Sequence, residues 1–195
     1  MIHNFFSTPI YIDVIDDHRV SDEIDNVIPK LAFKNDWQPD NDTAPTTFIP
    51  DTQMNAIEDH KLIATQQAIF NHTRKYLKEA DQNVKHDLKI QESWLNTFSR
   101  DQNIGLHEHG YQPNALSGVY YHKADSTCGM ISFKSPNPFV ISFPHRCDRY
   151  SNIVKIPPEK GMILLFPNWL LHKVEPNRTD KERVSLSFNI EFLYN

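Results

Sequence analysis

Glycine is scarce in this chain: five residues in 195, against thirteen prolines. Neither GxGxxG nor GxxxxGK-S/T occurs, so the usual Gly-rich phosphate cradles are excluded. Cysteine is nearly absent. Cys128 and Cys147 are too few for a disulfide scaffold and are not spaced as CxxC, so reduced thiols are expected. No apolar run approaches the roughly 20 residues of a membrane span. The opening MIHNFFSTPIYID lacks the basic and long apolar regions of a secretion signal, so cytoplasmic residence and no membrane partner are expected. There is no basic block, and the net charge is −5. Nucleic acid is therefore not an expected partner.

What is present is a soluble composition, with 39% hydrophobic and 23% charged residues, and a length that suits one domain with a sizeable core. Asp59–Ala80 carries one strong helical pattern. Leu62, Ile69 and Tyr76 recur every seven residues beside Ile63, Phe70 and Leu77, with no Pro or Gly inside. This stripe is expected to pack on a sheet. From Val84 onward the pattern becomes β. Strands are expected over Val84–Ile90, Ser93–Phe98, Gly105–His109, Ala115–His122 and Met130–Phe133. Further ones are expected over Asn152–Ile156, Met162–Phe166, Leu171–Val174 and Arg183–Phe192, separated by Pro/Asn/Asp/Gly turns. Short strands with regular turns predict a mainly β sandwich or jelly roll. The expected organisation is a single domain over 1–195. A strand and helical part (1–83) packs on a jelly-roll core (84–195).

Ten histidines are spread along the chain. His18, His60 and His72 sit among polar residues and read as surface; His86, His122 and His145 read as surface or hydrogen-bonded. His107 and His109 stand two apart in LHEHGYQPNALSGVYY. On a regular strand such residues share a face, and two imidazoles then reach one space. Glu108 between them would point away unless a bulge intervenes. His172 in FPNWLLHKVEP supplies a third nitrogen from a distant strand. Three such ligands with open positions suit non-haem iron, and also zinc or a cupin-like site. Arg183 and Ser185 share a face of the last strand, where a guanidinium beside a hydroxyl could clamp a carboxylate. A structural ion pair of Arg183 with Glu182 or Asp180 is the bland alternative.

The segments HEHGYQPNALSGVYY, KGMILLFPNWLLHKVEP and RVSLSFN resemble the iron(II)/2-oxoglutarate-dependent dioxygenase superfamily. They come closest to a small bacterial and phage group related to prolyl hydroxylases, and FSTPIYID is similar to that group's opening. The resemblance implies a double-stranded β-helix (jelly roll) with flanking N-terminal helices, using Fe(II), 2-oxoglutarate and O2. It implies that His107, His109 and His172 hold the metal, with His109 where most of the superfamily has an aspartate. Arg183 would pair with the distal carboxylate of 2-oxoglutarate, beside Ser185 and Tyr121, with Asn96 a further contact. Tyr120 would face the other way, and Val119, Leu164 and Phe188 would be core. The implied reaction hydroxylates a protein, peptide or small-molecule substrate, with a prolyl or other residue of a protein expected, and yields succinate and CO2. Substrate-facing segments are expected at Asp40–Thr47 and Pro136–Tyr150, the latter with Arg146 and Arg149. If the chain is phage-encoded, its setting is the host cytoplasm. A homodimer is compatible with the composition. The alternatives are a three-histidine cupin-type enzyme without 2-oxoglutarate and a non-catalytic jelly-roll binding protein.

Overall fold

The computed structural model describes residues 7–35, 42–49, 54–80, 87–110, 115–137 and 152–193. Among the described residues nine strands build two antiparallel sheets. Strand β1 (Tyr11–Val14) precedes helix α1 (His18–Val27) and a 3-10 turn at Ile28–Lys30. Helices α2 (Ala56–Asp59) and α3 (Ile63–Glu79) follow. Then come β2 (Asp87–Phe98), β3 (Ile104–His107), β4 (Ala115–Lys123) and β5 (Ile131–Lys134). The chain finishes with β6 (Ile153–Ile156), β7 (Met162–Pro167), β8 (His172–Val174) and β9 (Arg183–Leu193). The larger sheet runs β1-β7-β4-β9-β2 and the smaller β3-β8-β5-β6. The fold is the mainly β jelly roll with N-terminal helices expected from the turn-punctuated strands.

The two faces of the larger sheet have different tasks, as strand alternation requires. One face offers Leu95, Tyr120, Ile163, Leu165, Leu186 and Phe188 to the helices, which answer with Val20, Ile24, Ile69, Tyr76 and Leu77 in one buried cluster. The opposite face carries Val119, Tyr121, Leu164 and Phe166, which pack with Ile131 and Phe133 of the smaller sheet. The segment before residue 84 also joins the barrel itself, because β1 pairs with β7 through Tyr11↔Leu165 to Val14↔Met162.

The helical pattern is interrupted where one helix is expected. Asn55 caps α2 by accepting from the Glu58 amide at 3.3 Å. Lys61 takes a left-handed φ of 55°, which breaks the path before α3. Glu23 of α1 then accepts from the Ala64 and Thr65 amides at 2.8 and 2.9 Å, supplying the cap that α3's own sequence lacks. As a result Ile63 is exposed, while Leu62, Ile69, Tyr76 and Leu77 are buried. His72 corrects the expectation of a surface histidine. It is buried and 3.0 Å from the Tyr11 hydroxyl, because α3 rotates its polar Thr65–His72–Thr73 edge inward against β1. His18 and His60 are exposed, and His122 is buried against Asp25 at 2.8 Å.

Strand bounds follow the hydrophobic pattern, with two informative departures. The stretches around Ile90 and Phe98 are one long strand, β2, with a bulge between Ile90 and Glu92. The strand through His107 stops there, and its pairing with β8 slips between Ile104 and His107. Val84–His86, His145, Cys147, Arg146 and Arg149 lie outside the described residues, as do residues 40–41 and 138–150 of the two expected substrate segments.

Candidate metal and cosubstrate site

His107 and His172 are direct partners across β3 and β8. Their ring centroids are 4.3 Å apart, and His109 stands 5.2 Å from His107 and 5.0 Å from His172. One potential ligand atom from each of the three lies within 4.8 Å of the others. Simple alternation along one strand does not produce this convergence. His109 lies past the end of β3, anchored by its amide donating to the Asn168 carbonyl at 2.9 Å. Asn168 sits in the turn between β7 and β8, so the turn that leads to His172 also fixes His109.

Hydrogen bonds decide which nitrogen each ring presents. His107 Nδ1 lies 2.9 Å from the Gly105 carbonyl, and His172 Nδ1 lies 2.8 Å from the Leu170 carbonyl. A carbonyl only accepts, so both Nδ1 atoms carry the proton and both Nε2 atoms hold a free lone pair. His109 Nδ1 lies 2.8 Å from Asn189 Oδ1. That amide's orientation is set by its Nδ2, which donates to Glu92 at 3.0 Å. The three rings are therefore held as the Nδ1–H tautomer, with their lone pairs free. Burial pushes the His109 pKa down to about 4, and the neighbouring His107 adds to the fall. The same two causes, burial first, lower His172 well below the ordinary range. His109 and His172 are thus neutral at pH 7, as metal ligation requires.

The inner face of the larger sheet is laid out in transverse rows. Ser117, Asn189 and Glu92 form one row across β4, β9 and β2; Val119, Ser187 and Trp94 form the next; Tyr121, Ser185 and Asn96 the third. Phe98 and Arg183 follow as partners. Between this face and the three histidines runs a narrow cavity. The histidines line one part of it, and Asn96, Arg183 and Ser185 line another.

Arg183 is 1% exposed. It donates from Nη1 to the Gly129 carbonyl at 3.0 Å and lies between the Phe98 and Tyr121 rings, 4.5 and 4.9 Å from their centroids. Its Nε has no hydrogen-bond partner, and neither does the Tyr121 hydroxyl. The ion pairs weighed as the bland alternative are not made. Asp180 binds Arg100 at 2.7 Å, and Glu182 faces Lys123 at 3.6 Å. Among the described residues no carboxylate neutralises Arg183. A buried guanidinium left without a counter-charge is costly unless a ligand supplies one.

Ser185 is buried beside Arg183 on the same face. Asn96 lines the cavity, with its Nδ2 donating to Ser187 Oγ at 3.1 Å. Tyr121 lies behind the guanidinium and does not line the cavity. Tyr120 points to the helices. Glu108 is outside the three-histidine group and lines the outer mouth with Asp42, Phe48 and Trp94. Asn189, Ser117 and Glu92 escaped the sequence reading. Asn189 shares the parity of Arg183, and Ser117 that of Tyr121, so both faces were legible. Glu92 shares the parity of Asn96, so its face was legible too; the bulge, which no residue signals, sends Ile90 to the opposite side.

A family model for 2OG-Fe(II) oxygenases matches residues 92–189, just over half of the chain. The chain belongs to this family and is an Fe(II)- and 2-oxoglutarate-dependent oxygenase. No curated protein matches the sequence. Solved structures share the fold. An oxidoreductase of the 2OG-Fe(II) oxygenase family from Burkholderia pseudomallei aligns over 93% of this chain and 84% of its own, with TM-score 0.65 and 14% identity. A prolyl-4-hydroxylase from Pseudomonas putida covers 97% and 94%, with TM-score 0.61 and 12% identity. HygX from Streptomyces hygroscopicus, solved with nickel, 2-oxoglutarate and hygromycin B, covers 94% and 83%, with TM-score 0.63 and 14% identity. Among the described residues no helix is long and apolar enough to cross a membrane.

Proposed function

We propose that His107, His109 and His172 hold Fe(II), and that Arg183 with Ser185 binds the distal carboxylate of 2-oxoglutarate in a single domain that hydroxylates a protein residue. The observation that carries this is the uncompensated Arg183 in a cavity whose wall also holds three imidazoles with their Nδ1 atoms hydrogen-bonded away from one another. Bound iron supplies the activation of dioxygen that couples decarboxylation of 2-oxoglutarate to substrate hydroxylation. The chain's own residues position and shield. Arg183 offers its charge and its unpartnered Nε to the carboxylate, and Ser185 offers a hydroxyl beside it. Phe98 and Tyr121 keep the guanidinium from swinging. Val119, Ile131 and Phe166 line the cavity and exclude water. Asn96 borders the cosubstrate space, and Tyr121 backs the guanidinium from behind.

The outer mouth favours a peptide substrate. Phe48 and Trp94 stand 5.1 Å apart there, with Asp42 and Glu108 at the rim. Aromatic faces suit the apolar ring of a prolyl residue, and carboxylates can accept from peptide amides. A structural likeness to a prolyl-4-hydroxylase agrees with that choice. The single domain is supported by β1, which completes the edge of the jelly-roll sheet. A cytoplasmic setting is in keeping with Cys128, a free buried thiol.

Succinate release from purified protein given Fe(II) and 2-oxoglutarate tests the cosubstrate. Turnover that needs both, and that in Arg183→Met needs far more 2-oxoglutarate, is expected. Iron binding with no binding or consumption of 2-oxoglutarate would favour the cupin-type alternative. Incubation with a proline-containing peptide library, read by mass for addition of one oxygen, tests the substrate. Oxygen incorporated only into small molecules would overturn the protein assignment.

A further inference from the structure

We propose that Glu92 and Asn189 are positioning residues for His109. Together they stand in for the carboxylate that most of the superfamily places at that ligand position. The inference rests on His109 being a metal ligand.

The geometry is a chain of three groups. Glu92 accepts from Asn189 Nδ2 at 3.0 Å, and Asn189 Oδ1 lies 2.8 Å from His109 Nδ1. Ser117 closes the corner: its Oγ donates to Asn189 Oδ1 at 2.8 Å and lies 2.9 Å from His109 Nδ1. Every polar atom at the joint is used. Asn189 cannot flip, because its Nδ2 would then face the proton on His109 and its Oδ1 would face the Glu92 carboxylate. The ring of His109 is thereby held with Nε2 away from the sheet and toward His107 and His172. The other two rings receive the same service from backbone carbonyls. Only His109, the ring outside a strand, is held by side chains.

The bulge in β2 exists in the right place for this. Ile90 pairs with Ile190 on the helix face, and Glu92 pairs with Asn189 on the inner face. On a regular strand Ile90 and Glu92, two residues apart, would share one side; with the bulge between them Ile90 faces the helices while Glu92, in phase with Trp94 and Asn96, faces inward. A bulge that sends two such side chains to opposite sides is a device, since it costs ladder hydrogen bonds. It leaves a carboxylate one amide away from the ligand. Through the aligned amide, its negative charge raises the basicity of the His109 lone pair, as a carboxylate behind a ligating imidazole does. A three-histidine site then keeps part of the anionic character of a site with one carboxylate.

The test is Co(II) affinity of the metal-free full-length protein by calorimetry, with the visible absorption of the bound Co(II) as a second readout and thermal unfolding as the control. Glu92→Gln keeps an acceptor for Asn189 and removes the charge; Asn189→Ala removes the orientation as well. Losses of about tenfold and up to about 100-fold are expected, with a shifted Co(II) spectrum and an unfolding midpoint near wild type for Glu92→Gln. The double variant Glu92→Gln/Asn189→Asp moves the charge one step inward and is expected to regain affinity. It also serves if Asn189→Ala fails to fold. Affinity and spectrum unchanged in Glu92→Gln and Asn189→Ala, while His172→Ala removes binding, would overturn the positioning role alone. Binding retained in His172→Ala would remove the metal site and this inference with it.

Discussion

His107 and His172 face each other as direct partners across β3 and β8, with ring centroids 4.3 Å apart. The pairing places two imidazoles far apart in the chain at one point of a small sheet. Neither ring can leave without breaking its Nδ1 bond to a carbonyl two residues upstream. Removing either one therefore leaves the other in place and subtracts one ligand cleanly. His172→Ala is expected to lower metal affinity by at least 100-fold while retaining the β-rich circular dichroism of the wild type. Calorimetry with Mn(II) checks it, and unchanged affinity would remove His172 from the site.

Arg183 gives opposite signs in two assays. It is buried with no acidic partner among the described residues, so Arg183→Met is expected to leave the ligand-free protein equally stable or more stable. The same change is expected to raise the 2-oxoglutarate requirement by roughly 100-fold, as losing a charge-assisted pair does. Unfolding midpoints and succinate release measured on one preparation separate the two.

Gly129 ties the clamp to the fold. A Cβ there would collide with the Glu175 backbone carbonyl, and the Gly129 carbonyl is the one that Arg183 donates to. Gly129→Ala is expected to cost about 1–3 kcal/mol of stability and to weaken 2-oxoglutarate binding, because the carbonyl must shift. Urea unfolding and cosubstrate titration check both, and a variant with wild-type values in each would dissociate Gly129 from the clamp.

Acid should destabilise the metal-free protein in a defined window. Burial holds His109 at about 4, below the ordinary 6.5, and lowers His172 in the same direction. Between those values the unfolded chain takes up protons that the folded one refuses. Stability is thus complete above about 6.5 and lost as pH falls toward about 4. Asp13, held near 2, keeps its stabilising contribution through this window and loses it only at lower pH. The unfolding midpoint is expected to fall from pH 7 to pH 4.5, and to fall less in His109→Gln. A flat profile in the wild type would contradict the burial of these rings.

Much of this was legible in the sequence because strand parity is rigid. Arg183 and Ser185, Tyr120 against Tyr121, and the His172 turn all follow from alternation and punctuation, and the structure puts each on the expected face. What was not legible depends on departures from regularity. The break at Lys61 is left-handed backbone, and the helix after it is capped by Glu23, which lies 41 residues before the Ala64 amide it accepts from. His72 turns inward because α3 has to meet β1. His109 joins His107 through the end of a strand and the Asn168 turn, not through alternation along it. Ile90 and Glu92 face opposite sides of β2 only because one extra residue bulges between them.

The proposed site puts the metal on three histidines and the cosubstrate on Arg183 within one cavity. A crystal structure of the protein with Mn(II) and a non-reactive 2-oxoglutarate analogue tests it most directly. The expected result is the ion on the Nε2 atoms of His107, His109 and His172, with the far carboxylate of the analogue paired with Arg183 beside Ser185. An ion held without His109 or His172, or an analogue whose far carboxylate lies away from Arg183, would contradict it.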